Sequence, residues 1–261
     1  MKIAIIGAGE MGGAFATGLL KSSLFKPNDI TVSNPHDGKL KPFLQQGASV
    51  TTDNKIAVEG ADVVVIVVKP KVVKAVIDEL KPVLNYEKQL IVNMAASISL
   101  SQLKEWLTKD GKTPSLFQAM PNIGIAERQS MTFLVPDDAA DKNLKTVKSI
   151  FDDLGQTMVT DESLLTAGNA LAGCGIAFIM RYVRAASEAG VELGLKADTA
   201  KNIVLQTMKG AVALLEESGS NPEAEIDKVT TPGGLTIKGL NTMEKNGFSN
   251  AVIEGIKAAR K

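Results

Sequence analysis

The residues of this chain best placed to do chemistry are glycines. Gly7-Ala8-Gly9-Glu10-Met11-Gly12 follows the short apolar run Lys2–Ile6 and opens an amphipathic stretch. In a strand–turn–helix unit this spacing suits a dinucleotide: Gly7 permits the tight turn, Gly9 lets backbone approach a pyrophosphate, and Gly12 allows helix and strand to pack closely. Amides at the start of the helix then face the anion. A second glycine turn, Pro232-Gly233-Gly234, precedes Leu235-Thr236. From spacing alone Thr236 reads as a helix N-cap.

Other reactive side chains are few. The single histidine, His36, follows Asn34-Pro35 and reads as a solvated loop residue, so histidine-centred catalysis and multi-histidine metal sites are not expected. The single cysteine, Cys174, forms no internal disulfide or cysteine-cluster zinc site and reads as a packing residue. Glu188 and Glu192 share a helical face as two solvated carboxylates, and Lys69 before Pro70 reads as a solvated residue at a strand end. No metal site is expected.

The end of the second strand selects the dinucleotide. An NAD site usually places an acid there, but this chain reads Thr31-Val32-Ser33-Asn34-Pro35. Ser33 and Asn34 offer hydrogen bonds to a 2′-phosphate, with Lys39 or Lys41 supplying charge. In the competing reading Asp37 folds back to the ribose. NADPH is the favoured cofactor and NADH the alternative.

Positioning these turns requires a sheet. Over residues 1–160, β-branched runs alternate with amphipathic stretches, the pattern of a mainly parallel sheet flanked by helices. Strands are expected at Lys2–Ile6, Ile30–Ser33, Val63–Val68, Leu90–Asn93, Ser115–Ala119 and Thr132–Val135, with a further one at Gly155–Val159; helices at Met11–Lys21, Val72–Leu80 and Ser99–Leu107. Residues 161–261 read as all-helical: Ser163–Leu195, Ala197–Ser218, and shorter helices from Leu235 and Ser249. The fold class is thus an α/β Rossmann domain followed by an all-α domain. Within the latter, Ala167–Met180 is nearly free of polar groups and reads as a buried helix packed against another backbone. Alanine-rich helices expose a face that so small a domain struggles to cover, which predicts homodimerisation through this half.

Composition narrows the partners. Lysine plus arginine number 29 against 29 acids in 261 residues, so no net field favours nucleic acid or an anionic membrane. Aromatics at 4% disfavour a base-stacking surface. No secretory signal is read at the start, and the aliphatic run Val63–Val68 is too short to span a bilayer. A cytoplasmic location is expected.

Three further segments narrow the reading: Val67-Val68-Lys69-Pro70, Ala119-Met120-Pro121-Asn122, and Val229 to Leu240 with its Pro-Gly-Gly-Leu-Thr-Ile core. With Gly7 to Gly12 they resemble the pyrroline-5-carboxylate reductase family, in order and spacing along essentially the whole chain. The resemblance implies NAD(P)H-dependent reduction of 1-pyrroline-5-carboxylate, a cyclic imino acid, to L-proline, the last step of proline biosynthesis. It implies that Gly7, Gly9, Glu10, Met11 and Gly12 hold the pyrophosphate, with Ser33, Asn34 and Asn54 near the adenosine ribose. Val68, Lys69, Pro70, Ala95 and Ala96 would line the path to the nicotinamide. Amides of Gly233, Gly234 and Leu235 would cup the substrate carboxylate, with Gly173 and Cys174 also at the substrate. Thr236 would face the ring nitrogen as the catalytic residue, and the C-terminal domain would dimerise.

Departures from the family pattern are local. Family members commonly carry Arg-x-Met-Pro-Asn-Thr-Pro; here Gln118 replaces the arginine and Ile123-Gly124 the Thr-Pro. Where the helical domain usually reads Ser-Gly-Ser-Gly-Pro-Ala, this chain has Ala172-Gly173-Cys174-Gly175-Ile176-Ala177. Two rivals follow. A β-hydroxyacid dehydrogenase would use a lysine on the interdomain helix, yet Leu165–Met180 contains none. A non-catalytic dinucleotide-binding paralogue would not need the retained Thr236.

Overall fold

The computed structural model describes residues 1–138 and 142–260. The chain divides into two compact units, Met1–Gly173 and Cys174–Lys261. The first therefore carries on through Asp161–Gly173, residues that the sequence reading places with the helical half.

The first unit is built on one eight-stranded sheet of order β3-β2-β1-β4-β5-β6-β7-β8. Its strands are β1 (Ile3–Ile6), β2 (Ile30–Ser33), β3 (Ser49–Thr51), β4 (Val63–Ile66), β5 (Leu90–Asn93), β6 (Leu116–Met120), β7 (Ser130–Pro136) and β8 (Gly155–Val159). Pairing is parallel throughout except between β6 and β7, which run antiparallel. All seven strands expected from sequence are present; β3, short and partly exposed, is an addition.

Helices α1 (Glu10–Leu20), α2 (Lys41–Gln45), α3 (Asn54–Val58), α4 (Pro70–Leu80), α5 (Leu100–Leu107) and α6 (Leu144–Asp152) cover the sheet. Alternation along each strand sorts the core into two layers, because successive side chains point to opposite faces. Ile3, Ile5, Val63 and Val65 pack with Phe15, Leu19, Phe43, Ile150 and Phe151 from α1, α2 and α6. Ala4, Ile6, Val64 and Ile66 pack with Val58, Val73, Ile77, Leu80 and Leu103 from α3, α4 and α5. Both faces are covered, which is why the strands read as continuous apolar runs.

The helix expected over Ser163–Leu195 is interrupted. It begins as α7 (Leu165–Gly168), widens into a π turn at Asn169–Gly173, and resumes as α8 (Gly175–Glu192). A Cβ at Gly173 would stand 2.2 Å from Asn169 Oδ1, so the widened turn depends on glycine there. The second unit holds α8, α9 (Ala197–Ser218), α10 (Pro222–Val229), α11 (Leu235–Lys245) and α12 (Phe248–Ala258).

Among the described residues, Ala200 is the one apolar residue that this unit fully buries within the chain. The expectation that Ala167–Met180 is buried therefore fails for the single chain: Leu171, Ile179 and Met180 are more than half exposed. The stretch Glu162–Glu192 is long and apolar enough, by length and composition, to cross a bilayer, with mean hydropathy 1.6. Exposed apolar faces of this kind mark interaction surfaces.

Candidate dinucleotide and carboxylate sites

Strand register sets Ser33, Ile6, Ile66, Asn93 and Gln118 in one row at the carboxyl edge of the sheet. The chain reverses direction across the sheet between β1 and β4, and ligands of open α/β sheets bind in the crevice beyond such a switch point. Gly7, Val67–Pro70 and Ala95–Ala96 all follow strands ending on that row.

The glycine turn is fixed by backbone constraints. Gly7 adopts φ +111°, and a Cβ there would stand 2.5 Å from the Val67 carbonyl oxygen. A Cβ on Gly12 would meet the Gly7 carbonyl oxygen at 1.9 Å, whereas one on Gly9 would have nothing within 4 Å. Gly7 and Gly12 are thus required by packing, and Gly9 faces open space. Gly9 also caps α1 without a side-chain hydrogen bond. Helices α3, α5 and α10 are instead capped by Asp53, Ser99 and Asn221. The first-turn amides of α1, including Glu10 and Met11, are left for an anion. Open space over Gly9 and free amides beside it fit the pyrophosphate of a dinucleotide.

At the end of β2 the side chains are tied to one another. Ser33 is fully buried and its hydroxyl donates to Asn54 Oδ1 at 2.7 Å. Asn54 Nδ2 donates to Glu79 Oε2 at 2.9 Å, an acid on α4 that sequence reading passes over. Asn34 Oδ1 accepts from the Ala8 amide, and its Nδ2 donates to the His36 carbonyl. Ser33, Asn34 and Asn54 therefore stand together at the end of β2, and the polar atoms of Asn34 hold the glycine turn. Asp37, Lys39 and Lys41 are exposed on the segment that follows β2.

Beyond β4, Val68 is half-buried, and Lys69 and Pro70 are exposed as α4 begins with the proline in its first turn. After β5, Ala95 is buried and Ala96 exposed. Sequence reading missed Asn93 in this region; its only signal was a polar residue ending the apolar run Leu90-Ile91-Val92. Asn122 caps the turn at Ile123–Glu127 through Gly124 N. Its Nδ2 also reaches the Ala172 carbonyl in the π turn at 3.4 Å, just before Gly173 and Cys174, both half-buried.

The second glycine turn has its own geometry. Gly233 sits at φ +71°, Gly234 N donates to the Thr231 carbonyl at 2.9 Å, and α11 begins at Leu235 with no side-chain cap on Gly234. Thr236 is therefore inside the helix, in its first turn, and not the N-cap that spacing alone suggests. It is exposed, and among the described residues its hydroxyl has no hydrogen-bond partner. An uncapped helix start beside a free hydroxyl offers amides to a carboxylate and one oxygen to a neighbouring polar atom.

Two family models match the chain: pyrroline-5-carboxylate reductase dimerisation over residues 162–261, and NADP oxidoreductase coenzyme F420-dependent over residues 2–97. Pyrroline-5-carboxylate reductase 2 of Dictyostelium discoideum is 35% identical over 97% of this chain and 89% of its own length. The chain belongs to the pyrroline-5-carboxylate reductase family. Pyrroline-5-carboxylate reductase 1 of the same organism is 39% identical over 97% of this chain, which spans 48% of that longer protein. The NADP-bound pyrroline carboxylate reductase of Plasmodium falciparum superposes with TM-score 0.87 at 25% identity, covering 99% of this chain and 95% of that one. The match of residues 162–261 to the dimerisation model supports self-association of this chain through its helical half.

Proposed function

We propose that this chain reduces 1-pyrroline-5-carboxylate to L-proline with NADPH, with Thr236 at the imine nitrogen. It is an oxidoreductase of the family to which it belongs, and the NADP-bound relative supports the cofactor. Among the described residues three helix starts are glycine-led and lack a side-chain cap, α1, α11 and α12; the residue assignment rests on the first two, each in its own unit and each opening one of the two motif turns, Gly7–Gly12 and Pro232–Gly234. One offers amides to a pyrophosphate and the other to a small carboxylate.

The first-turn amides of α1 hold the pyrophosphate over Gly9, and Ser33, Asn34 and Asn54 form the wall at the adenosine end. Val68, Lys69, Pro70, Ala95 and Ala96 flank the nicotinamide path. When bound, the reduced nicotinamide supplies a hydride. The Gly233-Gly234-Leu235 turn holds the substrate carboxylate through the amides of Gly233 and Leu235, the Gly234 amide being held by the Thr231 carbonyl, with the Gly173–Cys174 backbone also facing substrate. The Thr236 oxygen accepts from the N–H of the protonated imine and keeps the ring oriented while the carbon takes up hydride. A protonated imine already carries its charge, so no separate acid is needed to neutralise a developing oxyanion. A site without histidine suffices.

The enzyme acts as a self-associating cytoplasmic protein without nucleic-acid or membrane partners; the balanced charge and single cysteine support this. Its labour divides near residues 160 and 161, in keeping with a dimerisation match that starts at residue 162.

The test is NADPH oxidation with 1-pyrroline-5-carboxylate by the wild type, Thr236→Ala and Thr236→Ser. Thr236→Ala is expected to lose more than about tenfold in turnover, or about 1.4 kcal/mol of transition-state stabilisation, with NADPH affinity unchanged. Thr236→Ser is expected to restore most of it. Full activity in the alanine variant would remove Thr236 from the mechanism, and wild type without turnover would remove the substrate assignment.

A further inference from the structure

A buried amide pair lies under the turn that follows β5. Asn93 is fully buried and Gln118 1% exposed, opposite one another in the β5–β6 register. Asn93 Nδ2 donates to Gln118 Oε1 at 2.8 Å and to the Ala95 carbonyl at 2.9 Å. Gln118 Nε2 donates to the same Ala95 carbonyl at 2.9 Å. Both partners of Asn93 Nδ2 are acceptors, which settles the orientation of that amide. Asn93 Oδ1 is then left buried with no partner among the described residues. Two buried amide donors converging on one backbone carbonyl hold that peptide in a single orientation.

In a trans peptide the carbonyl and the following N–H point in opposite directions, and no cis bond occurs among the described residues. With the Ala95 carbonyl drawn inward, the Ala96 N–H faces outward, at an exposed residue with no acceptor for it among the described residues. Ser97 follows at φ +64°, a costly conformation for a non-glycine residue and one found at functional turns.

We infer that Gln118 is a positioning residue for the reactive end of the dinucleotide. Through the Ala95 carbonyl it aims the Ala96 N–H at the carboxamide oxygen of the nicotinamide. A glutamine suits this post because it offers one acceptor, to Asn93, and one donor, to Ala95. The arginine of the family pattern has donors only and makes no acceptor for Asn93. The inference rests on the dinucleotide reading above.

The test separates the two ends of the cofactor, using fluorescence titrations with NADPH and with 2′,5′-ADP, which lacks the nicotinamide half. Gln118→Leu is expected to weaken NADPH about tenfold, the scale of a neutral hydrogen bond, and to leave 2′,5′-ADP within about twofold. Equal losses for both ligands, or no loss for either, would overturn the inference while leaving the dinucleotide site standing. Wild type that binds neither ligand would overturn the site itself, and this inference with it. Should the variant fail to fold, the Ala96 amide resonance of the wild type decides. It is expected to shift with NADP⁺ and stay put with 2′,5′-ADP; no shift with NADP⁺ overturns the assignment.

Discussion

Asn34 Oδ1 accepts the backbone amide of Ala8 at 3.2 Å, tying the end of β2 to the glycine turn that follows β1. The bond fixes the turn before any ligand arrives, and it makes Asn34 a test of cofactor choice. Asn34→Asp keeps an acceptor for Ala8 and adds a negative charge beside the expected 2′-phosphate. NADPH affinity should drop about tenfold relative to NADH, read by titration with each. An unchanged ratio would place the phosphate elsewhere.

Two glycines of one motif should fail in different ways. Gly12→Ala drives a Cβ into the Gly7 carbonyl, and overpacking of this kind costs about 1–3 kcal/mol, visible as a lowered melting temperature. A Cβ on Gly9 meets nothing within 4 Å, and Gly9 has extended backbone at φ −74° and ψ −167°, so Gly9→Val should keep the melting temperature of the fold. NADPH binding should nevertheless disappear, because the side chain fills the approach to the α1 amides. Normal affinity in the valine variant would move the pyrophosphate off this turn.

Ile179 on α8 is 52% exposed within the chain. Ile179→Asp places a charge on a face that a second copy is expected to cover, and an unpaired buried charge is strongly unfavourable. Light scattering should show monomer, or a dimer that dissociates at far higher concentration. A dimer as tight as wild type would exclude this part of α8 from the interface.

Lys228, and then Ser220, hydrogen-bond the Glu225 carboxylate and pull its pKa down to about 2 from an ordinary 4.5. A depressed folded-state value stabilises the charged form, so its contribution is complete above pH 4.5 and vanishes as pH falls through about 2. The Glu225 side-chain carbon resonance should titrate near that lower value, and Lys228→Met should move it upward. A midpoint near 4.5 in the wild type would show the pair absent in solution.

Much of this was legible because the glycines carry it. Gly7, Gly12 and Gly233 occupy positions where a Cβ or an ordinary φ is refused, and such demands show directly in sequence. The alternation of Ile3, Ala4, Ile5 and Ile6 between two cores likewise reads as a covered strand. Strand β3 was missed because Ser49-Val50-Thr51 is a brief, exposed edge with no apolar run. The π turn was missed because Asn169–Gly173 keeps helical composition; only the packing of Asn169 against Gly173 reveals the extra residue. Gln118 stood out as a departure, but its partner Asn93 emerges only from the β5–β6 register.

Among the described residues, the second unit fully buries no apolar residue of its own other than Ala200. On the proposed self-association its completion is a bimolecular event, while the first unit closes two cores on its own chain. During synthesis the amino-terminal half emerges first and can set its sheet unaided, whereas the helices after it wait for another polypeptide. The pace at which newly made molecules mature then rises with their own abundance, and a scarce chain lingers with sticky helices bare.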